Sequence, residues 1–438
     1  MPESCDMLIS AGMILCHAAD GGFRVLEDAA LAVTDGLVSA LGDAKQPGRI
    51  KAREHLRLPR CLVMPGLINA HTHVSMTLFR GLADDLPLMD WLQTHIFPRE
   101  RHLNPEMVEI GALIGCAEML RSGTTAFMDM YLIEDAVAKA VRYSGMRARL
   151  GEAIFAFPTP ICKSLDETEA LIRDQAARYK DDAHIRVAVM PHTVYTTTPQ
   201  ILLRCRDLAE ELDLPLHIHL NETQTEVQQC LASHGKRPPA LLHELGLLGP
   251  RCSIAHGVML DKDELDLLAA TCTRVVHCPR SNMKLASGVA PLPAMLARGM
   301  LPGLGTDGAS SSNNLNMFAE MSVCALLHKV AGQDPTLTPA HSVLDMATRG
   351  GAQALHWPEL GRLEIGAPAD LIALDLDQAN LLPLYRPESH LVYAAGGHEV
   401  RLSMVAGRVL FKDGGFTNLD YPALLQEAAK ARKWVLSL

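Results

Sequence analysis

The chain has 438 residues, of which 48% are hydrophobic and 21% are charged, and its formal net charge at pH 7 is −10. This is the composition of a globular protein with more than one domain and a large buried core. The acidic balance and the scattered basic residues argue against a nucleic-acid surface, because phosphate contacts need clustered lysine and arginine. No apolar stretch reaches the length of about 18 residues that a membrane span needs. We expect a small-molecule partner, with neither nucleic acid nor membrane.

The first residues and the cysteines both predict a cytoplasmic location. Met1 to Asp6 lack a basic segment followed by an apolar one, so no export signal is expected. Eleven cysteines are scattered without a Cys-x-x-Cys pair. An odd number at such spacings favours reduced thiols over a disulfide framework.

Short strand-like runs occupy both ends of the chain. They are separated by turn signals such as Asp35-Gly36 and return, in a similar pattern, from Asp370 onward. We predict that residues 1–63 and 362–438 form one composite β-sandwich domain. A helical pattern after Tyr421 predicts a closing helix.

Between these ends, apolar runs alternate with helical patterns, which predicts parallel strands joined by crossover helices. Asn104-Pro105 and Thr198-Pro199 are typical helix starts. Eight apolar runs are present, at residues 62–70, 124–129, 147–155, 185–191, 215–220, 252–257, 273–278 and 300–306. Eight such units fit either a (β/α)8 barrel or a doubly wound open sheet.

Polar side chains with reactive chemistry end most of these runs. They are His71 and His73, Asp129, Glu152, His192, His219 with Glu222, His256, His277 and Asp307. The carboxyl ends of many strands converge on one place when the sheet closes on itself. We therefore predict an α/β protein whose catalytic domain, residues 64–361, is a TIM-like (β/α)8 barrel.

Four of these residues form a candidate metal site. His71 and His73 are two positions apart, so both imidazoles lie on one face of an extended strand. His219 is preferred to His217 because it lies nearer the strand end, and Asp307 ends the eighth run. Three histidines and an aspartate, with room for a water, are typical of a catalytic zinc-type site. An ion there would lower the pKa of water from about 16 towards about 7 and supply a nucleophile at neutral pH.

Proton transfer is assigned to residues beside that site. Glu222 follows His219 by three positions and can carry a proton from the water to the leaving group. His256 and Asp307 are expected to orient the water. A histidine such as His256, standing alone, is more often a hydrogen-bonded core residue, but here it has reactive neighbours.

These residues together resemble the amidohydrolase superfamily, in its mononuclear aminohydrolase branch. The resemblance rests on residues 65–73, His219 with Glu222, Ala255-His256 and residues 305–308. Residues 79–92, Pro191-His192 and residues 277–288 further resemble the 5'-methylthioadenosine/S-adenosylhomocysteine deaminases, and the likeness covers nearly the whole chain.

The resemblance implies the roles of the metal-site residues. One divalent ion, zinc by resemblance, would be held by His71, His73, His219 and Asp307. This ligand set also suits iron or manganese, and the sequence does not decide between them. Glu222 would pass protons to the purine ring nitrogen and His256 would assist the attacking water. A homo-oligomer is also implied.

The same resemblance implies the substrate contacts. The position matching Glu100 binds the ribose hydroxyls in the family, and a carboxylate accepting two hydrogen bonds suits that purpose. His192, Glu222 and Trp91 are the other expected contacts. Phe97 stands where the family often has tryptophan.

One departure from the family suggests a substrate preference. Some members place a substrate-binding arginine on the third strand, where this chain has Glu152, unless a register slip brings Arg147 or Arg149 there. A glutamate would repel the carboxylate of S-adenosylhomocysteine. We therefore predict hydrolytic deamination of adenine nucleosides with 5'-methylthioadenosine preferred.

Two alternatives stay open. The same site could serve a deaminase or chlorohydrolase of a free purine, a triazine or a related heterocycle. More remotely, the barrel could be a scaffold without catalysis. Amidases of the superfamily that need a modified lysine on the fourth strand are excluded, because residues 185–192 contain no lysine.

Overall fold

The computed structural model describes residues 4–18, 22–43 and 50–438. Positions 1–3, 19–21 and 44–49 of the predicted segment 1–63 lie outside the described residues. The strands are β1 (Ser4–His17), β2 (Phe23–Thr34), β3 (Leu37–Asp43), β4 (Lys51–Pro65), β5 (Leu67–Thr72), β6 (Thr124–Tyr131), β7 (Arg147–Ile154), β8 (Ile185–Val187), β9 (Met190–Pro191), β10 (Leu216–Leu220), β11 (Cys252–His256), β12 (Arg274–His277), β13 (Gly303–Leu304), β14 (Leu371–Asp375), β15 (Val400–Val405), β16 (Arg408–Lys412) and β17 (Gly415–Phe416).

The helices alternate with the central strands and flank the last ones. They are α1 (Leu88–Trp91), α2 (Phe97–Glu100), α3 (Pro105–Arg121), α4 (Glu134–Ser144), α5 (Leu165–Arg178), α6 (Pro199–Glu211), α7 (Gln224–His234), α8 (Pro238–Glu244), α9 (Lys262–Ala270), α10 (Pro279–Lys284), α11 (Leu292–Ala297), α12 (Met317–Gly332), α13 (Ala340–Asp345), α14 (Gly351–Ala354), α15 (Pro387–Tyr393) and α16 (Tyr421–Val435). Among the helices of the described residues, none combines the length and apolar character needed to cross a membrane.

Both chain ends contribute to one eight-stranded sheet, in the order β17-β16-β15-β14-β4-β1-β2-β3. Antiparallel pairing of β4 with β14 places Val63 opposite Ala373 and joins the two ends. The Asp35-Gly36 turn is confirmed: both residues have positive φ, 51° and 76°, as a two-residue hairpin requires. The helix predicted after Tyr421 is α16. The domain boundaries at 63/64 and 361/362 stay a prediction.

Alternation along these strands builds the core of the terminal sheet. In β1, Ile9 and Ile14 are fully buried, and they belong to one cluster with Leu31 of β2 and Leu402 of β15. Side chains two positions apart share a face of a strand, and a register shift between Ala11 and Met13 lets Ile9 and Ile14, five positions apart, face the same cluster. The burial of these side chains fixes the register of the sheet.

The central strands form the predicted barrel. One parallel set runs β5-β6-β7-β8, with β9 beside β7, and the other runs β10-β11-β12-β13. A parallel bridge between Val189 and Leu216 joins the two sets on one side. On the other side, the Thr306 N–H donates to Asn69 Oδ1 at 2.9 Å and the Asp307 N–H donates to the His71 carbonyl at 3.0 Å. The eighth unit therefore closes onto the first.

The predicted helix starts are confirmed by their caps. Asn104 accepts from the Met107 N–H at 3.1 Å, with proline at the first helical position of α3. Thr198 accepts from the Ile201 N–H at 3.3 Å at the start of α6. Each cap satisfies a backbone donor that the helix leaves unpaired.

Gly305 marks the tightest contact of the barrel closure. A Cβ added at this position would lie 2.8 Å from the His71 backbone nitrogen and 3.0 Å from its carbonyl oxygen. Backbone atoms cannot move aside as the end of a flexible side chain can, so a methyl group would push β5 and the eighth strand apart.

We expect Gly305→Ala to lower the free energy of unfolding by roughly 1–3 kcal/mol and to reduce bound metal, because His71 moves with the strand. Denaturant unfolding and metal analysis check this. The control is Gly249→Ala, where an added Cβ meets no atom within 4 Å. Equal stability and metal content in the two variants would contradict the closure role of Gly305.

Candidate metal centre and substrate pocket

The four predicted ligands converge at the carboxyl ends of β5, β10 and the eighth strand. One ligand atom from each of His71, His73, His219 and Asp307 lies within 4.8 Å of all the others. His73 Nε2 is 3.1 Å from Asp307 Oδ1 and 3.3 Å from His219 Nε2. The structure thus brings together the residues that the sequence separates by 236 positions, from His71 to Asp307.

Hydrogen bonds behind the imidazoles fix their orientation. His219 Nδ1 donates to the His192 carbonyl at 2.8 Å, and His73 Nδ1 donates to the Met130 carbonyl. His71 Nδ1 is hydrogen-bonded to His217 Nε2 at 2.9 Å. Because Nδ1 is occupied in each ring, Nε2 is the atom left to face the centre, as is typical of metal-ligating histidines. His217 therefore supports His71, and this role was not foreseen.

The donor set fits a divalent ion of the zinc type. His71 is fully buried, and its Nε2 has no hydrogen-bond partner within the described part of the chain; the nearest Asp307 oxygen is 3.5 Å away. A buried nitrogen without a partner costs free energy unless an ion or another group satisfies it. Coordination by His71 Nε2 together with His73, His219 and Asp307 would remove that cost.

Asp307 is held so that one oxygen faces the imidazoles. Its Oδ2 accepts from Ser281 Oγ at 2.6 Å and from Ser311 Oγ at 2.8 Å, which leaves Oδ1 towards His73. Burial raises the pKa of this carboxyl, but the neighbouring imidazoles outweigh it and hold the pKa well below its usual range. Asp307 is therefore a carboxylate at neutral pH.

Glu222 and His256 lie side by side next to the four ligands. His256 Nδ1 is hydrogen-bonded to Asn282 Oδ1 at 2.9 Å, and its Nε2 is 4.0 Å from Glu222 Oε2. Burial raises the pKa of Glu222, whereas His256 opposes that shift. A carboxyl that keeps its proton closer to neutral pH is suited to donate it.

Glu226 is a supporting residue that the sequence reasoning missed. Its two carboxylate oxygens accept from the backbone N–H groups of Asn221 at 3.0 Å and Glu222 at 2.8 Å. It also stands three positions after the N-cap Thr223 of α7, whose hydroxyl accepts from the Glu226 N–H at 3.2 Å. The Thr-x-x-Glu spacing of a capping box was the available signal.

A pocket of about 630 Å³ opens over these groups. Its floor contains His73, His219, Glu222, His256 and Asp307, and its walls include Trp91, Leu92, Phe97, Glu100, Met130, Tyr131, Phe155 and His192. An apolar cavity with a few converging polar groups is the usual form of a small-molecule site. All predicted substrate-contact residues line this pocket.

Two of these predicted contacts are buried and polar. Burial raises the pKa of Glu100 to about 7, although the Tyr131 side chain beside it opposes the shift. Burial also lowers the pKa of His192 to about 3, so its ring is neutral, and Nδ1 is hydrogen-bonded to Thr196 Oγ1 at 2.9 Å. Glu100 and His192 thus offer polar atoms on an otherwise apolar wall.

The interpretation of Glu152 as a pocket residue was wrong. Its neighbours Ala153 and Phe155 line the pocket, but Glu152 does not. Successive side chains of β7 point to opposite faces, so Glu152 lies on the other side of the strand. There its oxygens accept from the N–H groups of Ile133 at 2.9 Å and Glu134 at 3.0 Å, at the start of α4.

The arginines considered as replacements are also remote from the pocket. Arg147 Nε donates to Asp370 Oδ2 at 2.7 Å. Arg149 Nη1 donates to the Val187 carbonyl at 2.5 Å. Both lie near the amino end of β7, and the metal ligands lie at the carboxyl ends of their strands. The electrostatic reason for a preference against S-adenosylhomocysteine therefore disappears.

Comparison with known proteins gives the following relatives. The amidohydrolase family matches residues 62–410. The chain is 58% identical over 442 residues to a 5-methylthioadenosine/S-adenosylhomocysteine deaminase from Nitratidesulfovibrio vulgaris strain Miyazaki F, covering 100% of this chain and 99% of that protein. It is 45% identical to a 5'-deoxyadenosine deaminase from Methanothermobacter thermautotrophicus, covering 84% of this chain and 87% of that protein.

A solved structure is similar over the whole length. It is an adenosine deaminase from Xanthomonas campestris with bound zinc, 39% identical, with a TM-score of 0.97 and coverage of 100% of both chains. This similarity extends to the terminal sheet as well as the barrel, so the fold predicted from the sequence is confirmed.

Glu152 gives a prediction about pH and stability. Burial raises its pKa to about 7, although two backbone N–H groups oppose the shift. The folded protein then holds this proton more tightly than the unfolded chain, so stability falls as the pH rises from about 4.5 to about 7. Glutamine cannot titrate. The free energy of unfolding of the wild type should therefore fall by roughly 3 kcal/mol relative to that of Glu152→Gln over this pH range.

Denaturant unfolding of both proteins at pH 5, 6, 7 and 8 measures this difference. A matched control is Glu210→Gln, a solvent-exposed glutamate of α6. A wild-type minus Glu152→Gln difference that does not change with pH would contradict the expectation.

Proposed function

Because this chain belongs to the amidohydrolase family, we propose that it is a zinc-dependent aminohydrolase of adenine nucleosides, with 5'-methylthioadenosine and S-adenosylhomocysteine among its substrates. The observation that carries this proposal is the placement of Glu222 beside three imidazoles and a carboxylate, at the floor of a pocket whose wall carries Glu100. Glu222, the imidazoles and the carboxylate serve the reaction, and Glu100 serves recognition of the nucleoside.

The ion is assigned to His71, His73, His219 and Asp307. When bound, zinc would supply Lewis acidity that makes water a nucleophile at neutral pH. His256 lies against the same space, with Asn282 fixing its Nδ1, so its Nε2 is placed to hold the attacking water in position.

Glu222 is assigned the proton transfers. Its buried carboxyl donates a proton to the purine ring nitrogen next to C6, which makes C6 more electrophilic. It then accepts a proton from the water as the oxygen bonds to C6, and passes it to the departing amino group. The remaining proton of the water, on the new C6 hydroxyl, returns to Glu222 as the C6 carbonyl forms, which regenerates the protonated carboxyl. One water is consumed, the C6–N bond breaks, and the products are the inosine analogue and ammonia.

Glu100 is assigned to the ribose. With a pKa of about 7, Glu100 is partly ionised at neutral pH. The ionised carboxylate accepts hydrogen bonds from two neighbouring hydroxyl groups, and burial strengthens such bonds. Trp91 and Phe97 supply apolar surface on the same side of the pocket, and His192 supplies a neutral ring nitrogen. A free base or a triazine has no ribose to use the Glu100 carboxylate.

The 5' substituent is assigned to an outer pocket that continues from the first. The outer pocket, about 1000 Å³, shares Phe97, Glu100, Leu132 and Phe155 with the inner one. Its other lining residues are Arg101, Phe157, Pro158, Thr159, Pro160 and Lys163. The Phe155 and Phe157 rings are 4.7 Å apart, which gives a wall suited to a thioether.

Two cations of the outer pocket favour acceptance of a carboxylate. Lys163 Nζ donates hydrogen bonds to the carbonyls of Thr159 at 3.0 Å and Pro160 at 3.1 Å, and these bonds hold it in place. Neither Lys163 nor Arg101 forms an ion pair within residues 50–438. With Glu152 outside the pocket, these cations support use of S-adenosylhomocysteine as well as 5'-methylthioadenosine. The predicted preference for the methylthio compound stays untested, as do the homo-oligomeric state and the cytoplasmic location.

We expect zinc-loaded protein to release ammonia rapidly from 5'-methylthioadenosine and S-adenosylhomocysteine, and slowly or not at all from guanine and melamine. Glu222→Gln should lower kcat by at least about 100-fold, because general acid–base catalysis contributes that much, while bound metal stays unchanged. A coupled ammonia assay and metal analysis measure both. Release from the free base or the triazine alone would overturn the nucleoside assignment.

Lys163→Gln should lower kcat/KM for S-adenosylhomocysteine about 2- to 5-fold, the scale of an exposed ion pair, without changing that for 5'-methylthioadenosine. The two values are measured in parallel at low ionic strength. Lys139→Gln, an exposed lysine of α4 away from the outer pocket, is the matched control. An equal loss for both nucleosides would show that Lys163 has a structural role instead.

A further inference from the structure

A second large cleft lies at the opposite end of the barrel, and we call it the basic cleft. Its volume is about 1790 Å³. Its charged lining residues are Arg149, Arg173, Lys180, Arg186, Arg251, Glu211 and Asp213, with His356 beside them. Arg149 and Arg186 lie near the amino ends of β7 and β8, whereas the metal ligands lie at carboxyl ends. Five cations against two carboxylates form a positive site on a chain of net charge −10.

The two carboxylates of the basic cleft are already paired. Arg173 pairs with Glu211, and Arg251 pairs with Asp213. Within the part of the chain that the structure describes, Arg149 and Lys180 form no ion pair. Arg186 has only a distant partner, with Glu359 Oε2 at 3.9 Å. Arg149 and Lys180 are therefore without a paired carboxylate, and Arg186 has only this long ion pair, so the cleft has an excess of positive charge for an external anion.

Arg149 is the most unusual of these cations because it is buried. Only 4% of it is exposed, and it donates to the carbonyls of Leu355, Val187 and His356. Three neutral acceptors leave two of its five N–H groups unused. Among the described residues no carboxylate forms an ion pair with Arg149, although Glu359 acts on its charge from a greater distance. Burial and the neighbouring Arg186 and Arg251 lower its pKa to about 9, so it remains charged at neutral pH. A buried charge without a counter-ion is costly.

Arg186 and His356 add preorganised groups to the same cleft. The Arg186 guanidinium lies over the Trp357 ring, 4.0 Å from its centroid, and this cation–π contact holds it in place. Its Nη1 is 3.9 Å from Glu359 Oε2, which is too far for a hydrogen bond. His356 has φ of +50°, and its buried Nε2 has no hydrogen-bond partner among the described residues. Oriented donors and an unpartnered ring nitrogen are features of a ligand site, not of a solvated surface.

We propose that the basic cleft binds a phosphate-bearing small molecule, with the phosphate held by Arg149, Arg186 and Lys180. A planar guanidinium matches the oxygens of a tetrahedral phosphate in bidentate fashion, and a dianion balances the excess charge better than a carboxylate does. The cleft is also lined by Tyr179, Leu212 and Leu214, which offer apolar surface to an organic group attached to the phosphate. This site is separate from the metal centre, and it does not depend on the proposed deaminase activity.

Titration of zinc-loaded protein with inorganic phosphate tests the site. Isothermal calorimetry at constant ionic strength, adjusted with chloride, should give one saturable site per chain. Arg186→Gln should weaken the affinity at least 10-fold, Lys180→Gln should weaken it about 3-fold, and Arg186→Lys should restore only part of it because lysine lacks the planar fork. Arg432→Gln, an exposed arginine of α16, is the control and should bind as wild type does.

Two outcomes overturn the proposal. One is an absence of saturable binding, and the other is equal affinity in wild type, Arg186→Gln and Lys180→Gln, which would place the anion at the metal centre or elsewhere. Deamination rates without phosphate should be equal in wild type and both variants, which checks that they are folded. If Arg186→Gln fails to fold, Lys180→Gln against Arg432→Gln still decides the question.

Discussion

The closure of the barrel is the contact on which the candidate site depends. The Asp307 N–H donates to the His71 carbonyl, and Gly305 lies directly against the His71 backbone. This backbone contact places two ligands from opposite ends of the barrel sequence on adjacent strands. It also explains the glycine, since a side chain there would occupy the space of the first strand. The backbone contact between His71 and residues 305–307 thus both closes the barrel and positions two of the metal ligands.

Buried glutamates that accept two backbone N–H groups appear twice around this barrel. Glu226 holds the segment that carries Glu222, and Glu152 holds the start of α4. In both cases burial raises the pKa to about 7 although the N–H groups oppose the shift. Each glutamate fixes a loop at the carboxyl end of a strand, and neither lines the substrate pocket. Residues outside the pocket therefore help to position those inside it.

The two ends of the barrel carry different sets of charged side chains. At the carboxyl end, three imidazoles surround the Asp307 carboxylate, a donor set that suits a divalent cation. At the amino end, guanidinium groups exceed carboxylates and Arg149 has only carbonyl partners, an environment that suits an anion. The length of the parallel strands separates the metal centre from the basic cleft. The Asp307 carboxylate at one end therefore does not pair with the guanidinium groups at the other.

The sequence by itself determined the alternation of strands and helices, the strand-end histidines and the carboxylates beside them, because these are local patterns of period and chemistry. Tertiary structure alone decided which way Glu152 points, since a shift of one residue along β7 moves a side chain from the pocket to the helix layer. It also decided that His217 supports His71 and that the basic cleft exists. Those features join residues distant in sequence, and no local pattern encodes which of them meet.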